Sequence, residues 1–207
     1  MNQIILLGVF TEIVELCSRK GIEIAYGVDP RVKSGFSFPI LSKETELTDL
    51  LKDNIYNYSF ALIPDLPVAR QRIFEQFGDK RNRMIFPPII DENVMFSPSA
   101  SIGKGTIILG GSLVSSNTVI ENFVKLNFFS RVHHDVHIDN YTTIAPGATI
   151  LGNVKVGKSV YVGANATLLP GITVGDGAVI GAGSVVTRNV DPQITVMGVP
   201  AKPGPDS

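Results

Sequence analysis

The stretch APGATILGNVKVGKSVYVGANATLLPGITVG, Ala145–Gly175, repeats a pattern every six residues. A large aliphatic residue returns at each sixth position, as at Ile150 and Val156. Extended outward in both directions, the same frame holds from Ile90 to Asp191 without an insertion, which is 102 residues or 17 hexads. A fixed short period held over this length is an internal repeat, and its spacing decides the fold of the C-terminal part of the chain.

The composition of the hexads indicates which repeat architecture they build. Sixteen of the 17 first positions are Ile, Leu or Val, the exception being Phe96, and every fifth position is Ala, Ser, Thr, Val or Ile. This pattern is typical of a parallel β-helix, in which each hexad forms one short strand and one turn and three hexads form one coil of a triangular prism. The first position then points into the core and the fifth fits a corner. We expect the glycines that follow the aliphatic residue to supply turn conformations closed to other residues, namely Gly103, Gly157, Gly163, Gly175 and Gly181.

The first 88 residues follow a different pattern, because strands and helices alternate. Apolar runs and helical spacing predict strands at Gln3–Gly8, Ile22–Val28 and Ser59–Ile63, and helices at Thr11–Arg19, Lys43–Asp53 and Val68–Phe77. Such alternation indicates a small parallel α/β unit with right-handed crossovers. Since Pro87-Pro88 interrupts regular structure, we predict one domain at residues 1–88 and a second at 89–207.

Composition and charge exclude several classes of protein. With 44% hydrophobic and 18% charged residues the chain is not disordered, and a net charge of −1 without a basic run argues against nucleic acid or an anionic membrane as partner. Cys17 is the only cysteine, which favours a reducing compartment. The N-terminus lacks a basic region and reaches Glu12 too early for a signal peptide, and no apolar run approaches the roughly 20 residues that span a bilayer. We therefore expect a cytoplasmic protein.

Three segments carry a family resemblance: HHDVHIDNYTTIAPGATILGNVKVGKSVYVGANATLLPGITVG (His133–Gly175), DGAVIGAGSVVTRNV (Asp176–Val190) and VMGVPAK (Val196–Lys202). They resemble the left-handed β-helix acyltransferases, and most closely the branch of sialic acid O-acetyltransferases and UDP-4-amino-sugar N-acetyltransferases. That branch also places a small Rossmann-like unit before the β-helix. The resemblance implies an N-terminal Rossmann-like α/β subdomain followed by a left-handed parallel β-helix of hexapeptide repeats, assembled as a homotrimer that uses acetyl-CoA as acyl donor and no metal.

All three histidines of the chain fall between His133 and His137. In the resembling enzymes a histidine followed by Asp or Glu at this place is the general base, which implies that role for His134 and an orienting role for Asp135. The reference histidine pKa of ~6.5 suits proton transfer at neutral pH. Because one coil is three hexads, His134 is expected to stack between Ser116 and Gly152, and we expect the glycine to leave open space for a thioester. A solvated surface histidine is the alternative interpretation, and it is the one we favour for His133 and His137.

The resemblance also implies positions for acetyl-CoA, in a groove between neighbouring prisms of the trimer. The corresponding residues are small or lie near the C-terminal segment, and for each small residue plain corner packing explains the residue equally well. Lys202 is placed to meet a CoA phosphate, although a solvated lysine explains it almost as well. The implied cofactor-binding residues are Thr143, Gly152, Ala164, Ala182, Pro200 and Lys202.

The acceptor-binding half departs from the family pattern. The first strand of such proteins runs into a turn of the form G-x-G-G-H or G-x-S-G-H that cradles a nucleotide-sugar, whereas this chain has Gly8-Val9-Phe10-Thr11-Glu12. A phosphate cradle needs backbone N–H groups with close approach, which Phe10 does not favour. The second strand ends in Asp29-Pro30, and the loop after the third strand contains Asp65 and lacks the usual glycine. The positions that correspond to acceptor binding are Gly8, Asp29 and Asp65.

The leading hypothesis is therefore transfer of an acetyl group from acetyl-CoA to the amino group of a nucleotide-linked aminosugar in bacterial surface-glycan biosynthesis, with His134 as base. O-acetylation of a sialic-acid-like sugar or another small hydroxylated acceptor is the enzymatic alternative. A non-catalytic trimeric scaffold is the alternative from another class, since the first turn is altered. A zinc lyase, as in the γ-type carbonic anhydrases of this fold, is disfavoured because zinc ligands must converge on one point, whereas the three histidines lie on a single turn.

Overall fold

The computed structural model of the protein describes residues 3–32 and 34–204. The chain divides into two compact units. The first consists of Met1–Asp65 and Ala69–Pro87, and the second of Leu66–Val68 and Pro88–Ser207. The division falls beside Pro87-Pro88, with three residues of the first part of the chain grouped with the second unit.

The first unit is built on a four-stranded parallel sheet of order β3-β2-β1-β4. The central strand IILL is buried along its whole length, as expected for a parallel strand covered on both faces. The first helix buries Ile13, Leu16 and Cys17, which share one helical face. The elements are β1 (Ile4–Leu7), α1 (Thr11–Arg19), β2 (Ile24–Val28), β3 (Ile40–Leu41), α2 (Glu44–Leu51), β4 (Ser59–Leu62) and α3 (Pro67–Gln76), with 3-10 turns at Lys52–Asn57 and Gly78–Asn82.

Two features of this unit differ from the prediction. The helix predicted at Lys43–Asp53 ends at Leu51 and continues as a 3-10 turn, because Lys52 takes a positive φ of 45° that an α-helix does not tolerate. Strand β3 was not predicted. It has only two residues, Ile40 and Leu41, which pair with Gly27 and Val28, and two residues are too few to show a period.

The second unit is a prism of two-residue strands that stack with a period of 18 residues, as Val132 pairs with Ile150 and Ile150 with Leu168. Its three sheets have the orders β19-β16-β13-β10-β7, β21-β18-β15-β12-β9-β6 and β23-β22-β20-β17-β14-β11-β8-β5. The strands that follow the hexads are β5 (Ile89–Ile90), β6 (Met95–Phe96), β7 (Ser101–Ile102), β8 (Ile107–Ile108), β9 (Leu113–Val114), β10 (Val119–Ile120), β11 (Lys125–Leu126), β12 (Arg131–Val132), β13 (His137–Ile138), β14 (Thr143–Ile144), β15 (Thr149–Ile150), β16 (Lys155–Val156), β17 (Tyr161–Val162), β18 (Thr167–Leu168), β19 (Thr173–Val174), β20 (Val179–Ile180) and β21 (Val185–Val186), followed by β22 (Thr195–Met197) and β23 (Lys202–Pro203).

First-position side chains form the core of the prism, as predicted. From Ile108 to Val186 each of them is buried and belongs to one continuous apolar cluster. The pattern weakens only in the first coil, where Phe96 is 40% exposed because the end of the prism has no coil beneath it.

Fifth-position residues do more than fit the corners. The hydroxyl of Thr118 donates to the carbonyl of His133 at 2.9 Å, and Thr142 donates to Gly157 at 2.7 Å. In each case the acceptor is the second residue of a turn in the next coil. Buried carbonyls at the corners are thereby satisfied, which explains the frequent Ser and Thr at a position that size alone would give to alanine.

The expectation for the second-position glycines is wrong. None of the five takes a positive φ. Left-handed backbone occurs instead at the fourth position, as at Asn117 and Asp135. The second-position glycines are needed for space, since a Cβ on Gly103 or Gly163 would come within 2.6 Å of a backbone nitrogen of the next coil.

Candidate active site

One corner of the prism carries both residues of the predicted catalytic pair. His134 and Asp135 lie in the turn between β12 and β13. The turn is fixed on both sides, because the Asp135 N–H donates to the Ser116 carbonyl of the coil before and the His134 carbonyl accepts the Asn153 N–H of the coil after. Asp135 adopts a φ of 57°, and aspartate is one of the few residues other than glycine that accepts this conformation readily.

The left-handed backbone places the carboxylate beside the imidazole. Asp135 Oδ2 lies 2.8 Å from His134 Nδ1, and its other oxygen, Oδ1, accepts a hydrogen bond of 3.1 Å from Asn117 Nδ2. The hydrogen bond with His134, and then that from Asn117, hold the pKa of the Asp135 carboxyl below its usual value. Both side chains stay accessible, His134 being 55% and Asp135 43% exposed. An ionised carboxylate on Nδ1 fixes the tautomer that leaves Nε2 as the basic nitrogen.

Gly152 lies over this ring, as the 18-residue period predicts, but it leaves no open space above it. A Cβ on Gly152 would lie 2.5 Å from His134 Cε1 and 2.6 Å from Nε2. The imidazole therefore occupies the place of the missing side chain. The expectation of an entry space for a thioester at this glycine is corrected: Gly152 admits the histidine ring itself.

The neighbouring histidines are not part of this arrangement. His133 is the second residue of the turn, and its carbonyl accepts the hydroxyl of Thr118. His137 Nε2 lies 3.4 Å from Glu121 Oε1. Across the described ranges, 3–32 and 34–204, no group of three or more His, Cys, Asp or Glu side chains is arranged to hold a metal ion.

The other residues implied to bind acetyl-CoA lie elsewhere on the prism. Ala164 and Ala182 stack on the corner between β17 and β18 and between β20 and β21, which is a different corner from that of His134. Thr143 lies in β14 and is fully buried within one chain, and its role in binding acetyl-CoA stays a prediction. Pro200 and Lys202 are exposed in the turn and strand that close the prism, after a cis peptide bond at Val199-Pro200. Of the predicted acetyl-CoA positions, all of which are among the described residues, Gly152 alone lies against the predicted catalytic pair.

The three predicted acceptor residues lie at one edge of the first unit, because they follow the carboxyl ends of β1, β2 and β4. Gly8 has a φ of 96°, and a Cβ there would lie 3.0 Å from Pro64 Cδ. The carbonyls of Pro64 and Asp65 both accept hydrogen bonds from the buried Arg70 guanidinium, at 2.6 and 3.0 Å. The carboxyl edge of a parallel sheet is where α/β proteins bind ligands, but the contacts found here are internal, and acceptor binding at these residues stays a prediction.

Asp29 is buried at this edge, with 2% of its side chain exposed, and binds Arg31. Its Oδ2 accepts the Val9 N–H at 3.1 Å, and its two oxygens receive Arg31 Nε and Nη2 at 3.2 Å each. Burial alone raises the pKa of this carboxyl, but the hydrogen bonds from Arg31 and Val9 and the charge of Arg31 outweigh it, so the pKa lies below its usual value.

Sequence reasoning overlooked Arg31, which is 70% exposed and lies 6.0 Å from the centre of the Phe10 ring. It supplies a cation at an edge where Glu12 alone suggested negative charge. In the sequence, the one feature that could have pointed to Arg31 was its position just after the Asp29-Pro30 turn.

Cys17 is buried, and burial raises the pKa of its thiol to about 11, which excludes a thiolate nucleophile at neutral pH.

Comparison with known proteins identifies the repeats. The family model described as Bacterial transferase hexapeptide (six repeats) matches residues 117–152 and residues 153–188. These four coils include His134, Asp135 and Gly152. The predicted resemblance to the hexapeptide-repeat transferases is thereby confirmed for this part of the chain.

Two relatives match parts of the sequence. A serine acetyltransferase of Buchnera aphidicola subsp. Schizaphis graminum (strain Sg) is 35% identical over 123 residues, which are 53% of this chain and 40% of that protein. A GDP-perosamine N-acetyltransferase of Escherichia coli O157:H7 is 42% identical over 60 residues, which are 29% of this chain and 27% of that protein. The matched region is thus less than half of either relative.

Solved structures match almost the whole chain. The acetyltransferase domain of PglB from Neisseria gonorrhoeae FA1090 superposes with a TM-score of 0.89 at 26% identity, covering 98% of this chain and 100% of that one. The GDP-perosamine N-acetyltransferase of Caulobacter crescentus, solved with CoA and GDP-perosamine, gives 0.89 at 22% identity and 99% and 97% coverage, which shows a shared fold. An α/β unit followed by a left-handed β-helix is confirmed as the architecture.

Proposed function

From the bacterial transferase repeats of residues 117–188, we propose that this chain is an acetyltransferase that moves an acetyl group from acetyl-CoA to the amino group of a sugar. The observation that carries the proposal is the exposed His134–Asp135 pair, joined at 2.8 Å on a corner of the prism. The acetyltransferase domain of PglB, whose structure also exists in complex with acetyl coenzyme A, matches at 27% identity over 98% of both chains and supports this donor.

We propose that the proton transfers take place at Nε2 of His134, while Nδ1 is held by Asp135. Asp135 accepts a hydrogen bond from the Nδ1–H group, so Nε2 presents a lone pair to the acceptor. The sugar amine attacks the thioester carbonyl, a C–N bond forms, and Nε2 removes a proton from that nitrogen. The C–S bond then breaks, and the imidazolium returns the proton to the departing CoA sulfur. A positioned base of this kind contributes about 10²–10⁴ in rate.

The oxygen of the tetrahedral intermediate needs a hydrogen-bond donor near the same ring. Across the described residues the N–H of Gly152 has no backbone acceptor. The equivalent N–H groups of Lys104 and Lys158 are satisfied by Asn122 and Asp176 from the next coil, at 3.1 and 2.8 Å. At Gly152 the residue of the next coil is Pro170, which offers no side-chain acceptor. We assign the oxyanion to the free N–H of Gly152.

The donor residues support an assembly of several copies. Ala164 and Ala182 lie on a different corner of the prism from His134, so one chain does not line a single groove with all of them. A groove between two prisms takes one corner from each copy. We therefore propose that acetyl-CoA lies between copies of a homotrimer, where the alanine corner of one copy faces His134 of the next, with Pro200 and Lys202 at the far end.

For the acceptor we propose a nucleotide-linked aminosugar bound at the carboxyl edge of β1, β2 and β4, where Gly8, Asp29 and Asp65 lie. The GDP-perosamine N-acetyltransferase among the relatives acts on such a molecule by its name. This chain lacks the glycine-rich turn that cradles a pyrophosphate in the resembling enzymes. We propose that the exposed Arg31 supplies positive charge in its place. An acceptor of this kind places the enzyme in the cytoplasm, in the biosynthesis of surface glycans.

The test is acetyl transfer from acetyl-CoA to GDP-perosamine and to UDP-linked 4-amino sugars. We expect His134→Ala to lower kcat by at least about 100-fold, because it removes the base, while acetyl-CoA binding measured by calorimetry is kept. His137→Ala is the matched control, since it removes a histidine three residues away that pairs with Glu121 and leaves the base intact. Full activity of His134→Ala on every acceptor that the parent chain uses would refute the role of the histidine.

Acetylation of a hydroxyl is the second candidate, and the serine acetyltransferase among the relatives favours it. Assaying each amino sugar beside its matched 4-hydroxy analogue and beside free serine separates the two reactions. If acetyl groups are transferred to hydroxyls alone, the proposed amino-sugar acceptor is wrong, but the proposed role of His134 as base stands. The absence of any acetyl-CoA binding at millimolar concentration would instead indicate a non-catalytic scaffold.

A further inference from the structure

The turn that carries the proposed base rests on three consecutive residues of the coil before it. The Ser116 carbonyl accepts the Asp135 N–H at 2.9 Å, the Asn117 amide donates to Asp135 Oδ1 at 3.1 Å, and the Thr118 hydroxyl donates to the His133 carbonyl at 2.9 Å. Two of these three contacts are made to backbone groups, the N–H of Asp135 and the carbonyl of His133. Only that from Asn117 reaches a side chain of the catalytic pair.

We propose that Asn117 is a positioning residue for the His134–Asp135 pair, an inference that rests on the proposed function. A carboxylate that is 43% exposed competes with water for its hydrogen bonds and rotates about its side-chain torsions unless both oxygens are held. Asp135 uses Oδ2 for His134, and Asn117 holds Oδ1. The amide thereby fixes the plane of the carboxylate, and the carboxylate fixes the tautomer and the tilt of the ring.

The donor is itself well fixed. Asn117 has a left-handed φ of 56°, and its backbone N–H donates to the Ser99 hydroxyl at 3.0 Å. Its amide is thus presented from a rigid turn one coil below the carboxylate, at the same position of the hexad frame. A rigid donor holds its partner with less loss of entropy on each hydrogen bond, which is how supporting residues orient reacting groups.

A hydrogen bond from an asparagine amide to a side-chain oxygen one coil above also occurs elsewhere, since Asn122 Nδ2 donates to Asn140 Oδ1 at 2.9 Å. At Asn117 the acceptor is a carboxylate of the predicted catalytic pair. Asn122 and Asn140 occupy the third position of their hexads, and their side-chain oxygens accept backbone N–H groups of the coil before. Asn153 occupies the same column as Asn117, one coil above Asp135, with the same left-handed backbone at φ 62°. Its side chain makes no hydrogen bond in the described part of the chain, which makes it a matched control.

The experiment compares Asn117→Gly with Asn153→Gly, because glycine keeps the left-handed conformation while removing the amide. The first readout needs no substrate. Nitrogen-15 shifts of the imidazole rings, in protein with labelled histidine and with His134→Gln for assignment, report the tautomer. We expect the parent chain and Asn153→Gly to hold His134 with the proton on Nδ1. Asn117→Gly is expected to show a mixture of both tautomers.

The second readout is kinetic, with acetyl-CoA and GDP-perosamine. We expect Asn117→Gly to lower kcat about tenfold with both KM values within about twofold of the parent, since a hydrogen bond to a charged group has an effect of this size on a reacting pair. Asn153→Gly should change kcat less than about twofold. Should Asn117→Gly fail to fold by circular dichroism, the nearly isosteric Asn117→Asp carries the same measurements, because it lacks the donor and places a like charge beside Asp135.

The outcomes separate this inference from the function beneath it. A single Nδ1–H tautomer and unchanged kcat in the Asn117 variant, with His134→Ala inactive, overturn the role of Asn117 and leave the base in place. If Asn117→Gly shows a mixture of tautomers but the His134→Ala enzyme is active, the positioning role of Asn117 is supported and the proposed function is overturned. Equal losses in kcat for the Asn117 and Asn153 variants, with the tautomer unchanged in both, indicate general loosening of the corner and also overturn the proposal.

Discussion

Gly152 and His134 share one space at the corner of the prism, because the imidazole fills the volume that any side chain at residue 152 would need. The backbone of Gly152 does not have a positive φ, so conformational freedom does not explain the glycine. Its role is to hold the ring against the turn. A substitution at position 152 therefore tests the orientation of the proposed base, His134.

We predict that Gly152→Ala lowers kcat by at least about tenfold while costing little stability. The added methyl would lie 2.5 Å from the ring and must rotate His134 away from Asp135. Gly110→Ala is the control, since residue 110 has the same position in its hexad and its Cβ would come no closer than 3.3 Å to Asp91. Steady-state kinetics and thermal melting measure both effects. Equal activity of the two variants would show that the ring tolerates displacement.

At the level of single residues, the sequence predicted that His134 and Asp135 lie together, but not which residues contact them. The adjacency of His134 and Asp135 and the 18-residue spacing to Gly152 are visible in the repeat frame. Whether the ring packs on the glycine or stands away from it depends on a side-chain torsion, and no periodicity encodes that. Asn117 and Arg31 were overlooked for the same reason, because their contacts depend on where a flexible polar side chain points.

Several corners of the prism are held by a hydroxyl at the fifth hexad position, which donates to a backbone carbonyl of the next coil. Thr118 donates to the His133 carbonyl at the corner of the proposed catalytic pair, and Thr142 donates to the Gly157 carbonyl at a corner without a predicted function. Both hydroxyls are buried, so their removal leaves a corner carbonyl without a partner.

We predict that Thr118→Val and Thr142→Val each lower the free energy of unfolding by about 1–3 kcal/mol, as expected for an unsatisfied buried group. Only Thr118→Val should also lower kcat several-fold, since it alone loosens the turn that holds His134. Chemical denaturation and steady-state kinetics on both variants give the comparison. Parallel losses of activity in the two would mean that the corners act through global stability and not locally.

The repeat frame predicted every strand from β5 to β21, because a hexad specifies both the strand and its turn. The frame did not predict correctly which hexad position adopts the left-handed backbone conformation. The second-position glycines suggested backbone freedom, whereas that freedom lies at the fourth position, where Asn, Asp and even Phe123 adopt it. Crowding between coils, which decides the second position, is a contact between residues far apart in sequence and is not visible in a single hexad.

On the scale of the whole molecule, the chain forms two compact units, and we expect each of them to unfold in its own transition. Among the described residues the α-helices lie in the first unit, apart from Pro67 and Val68 at the start of α3, so the helical circular dichroism signal reports mainly that unit. Within it, Asp29 ties the ends of β1 and β2 together through Val9 and Arg31.

We predict that the first unit loses stability in acid while the β-helix changes less. The folded pKa of Asp29 is lowered, so its stabilising contribution is present above the unfolded carboxyl pKa of ~3.9 and is lost as the pH falls through the folded value. Asp29→Asn should remove most of this dependence and lower the helical melting temperature at neutral pH. The control Asp49→Asn, at an exposed position of α2, should do neither. An unchanged acid profile in Asp29→Asn would refute the assignment.

At its far end the prism is closed by β23, which runs antiparallel to β22 and pairs Pro203 with Val196. Every other contact between coils is parallel, so an uncovered last coil would offer a template for the first coil of another molecule. Reversing the strand direction and inserting a residue without an N–H donor removes that template on this sheet. We therefore expect end-to-end stacking of prisms to be disfavoured along this sheet.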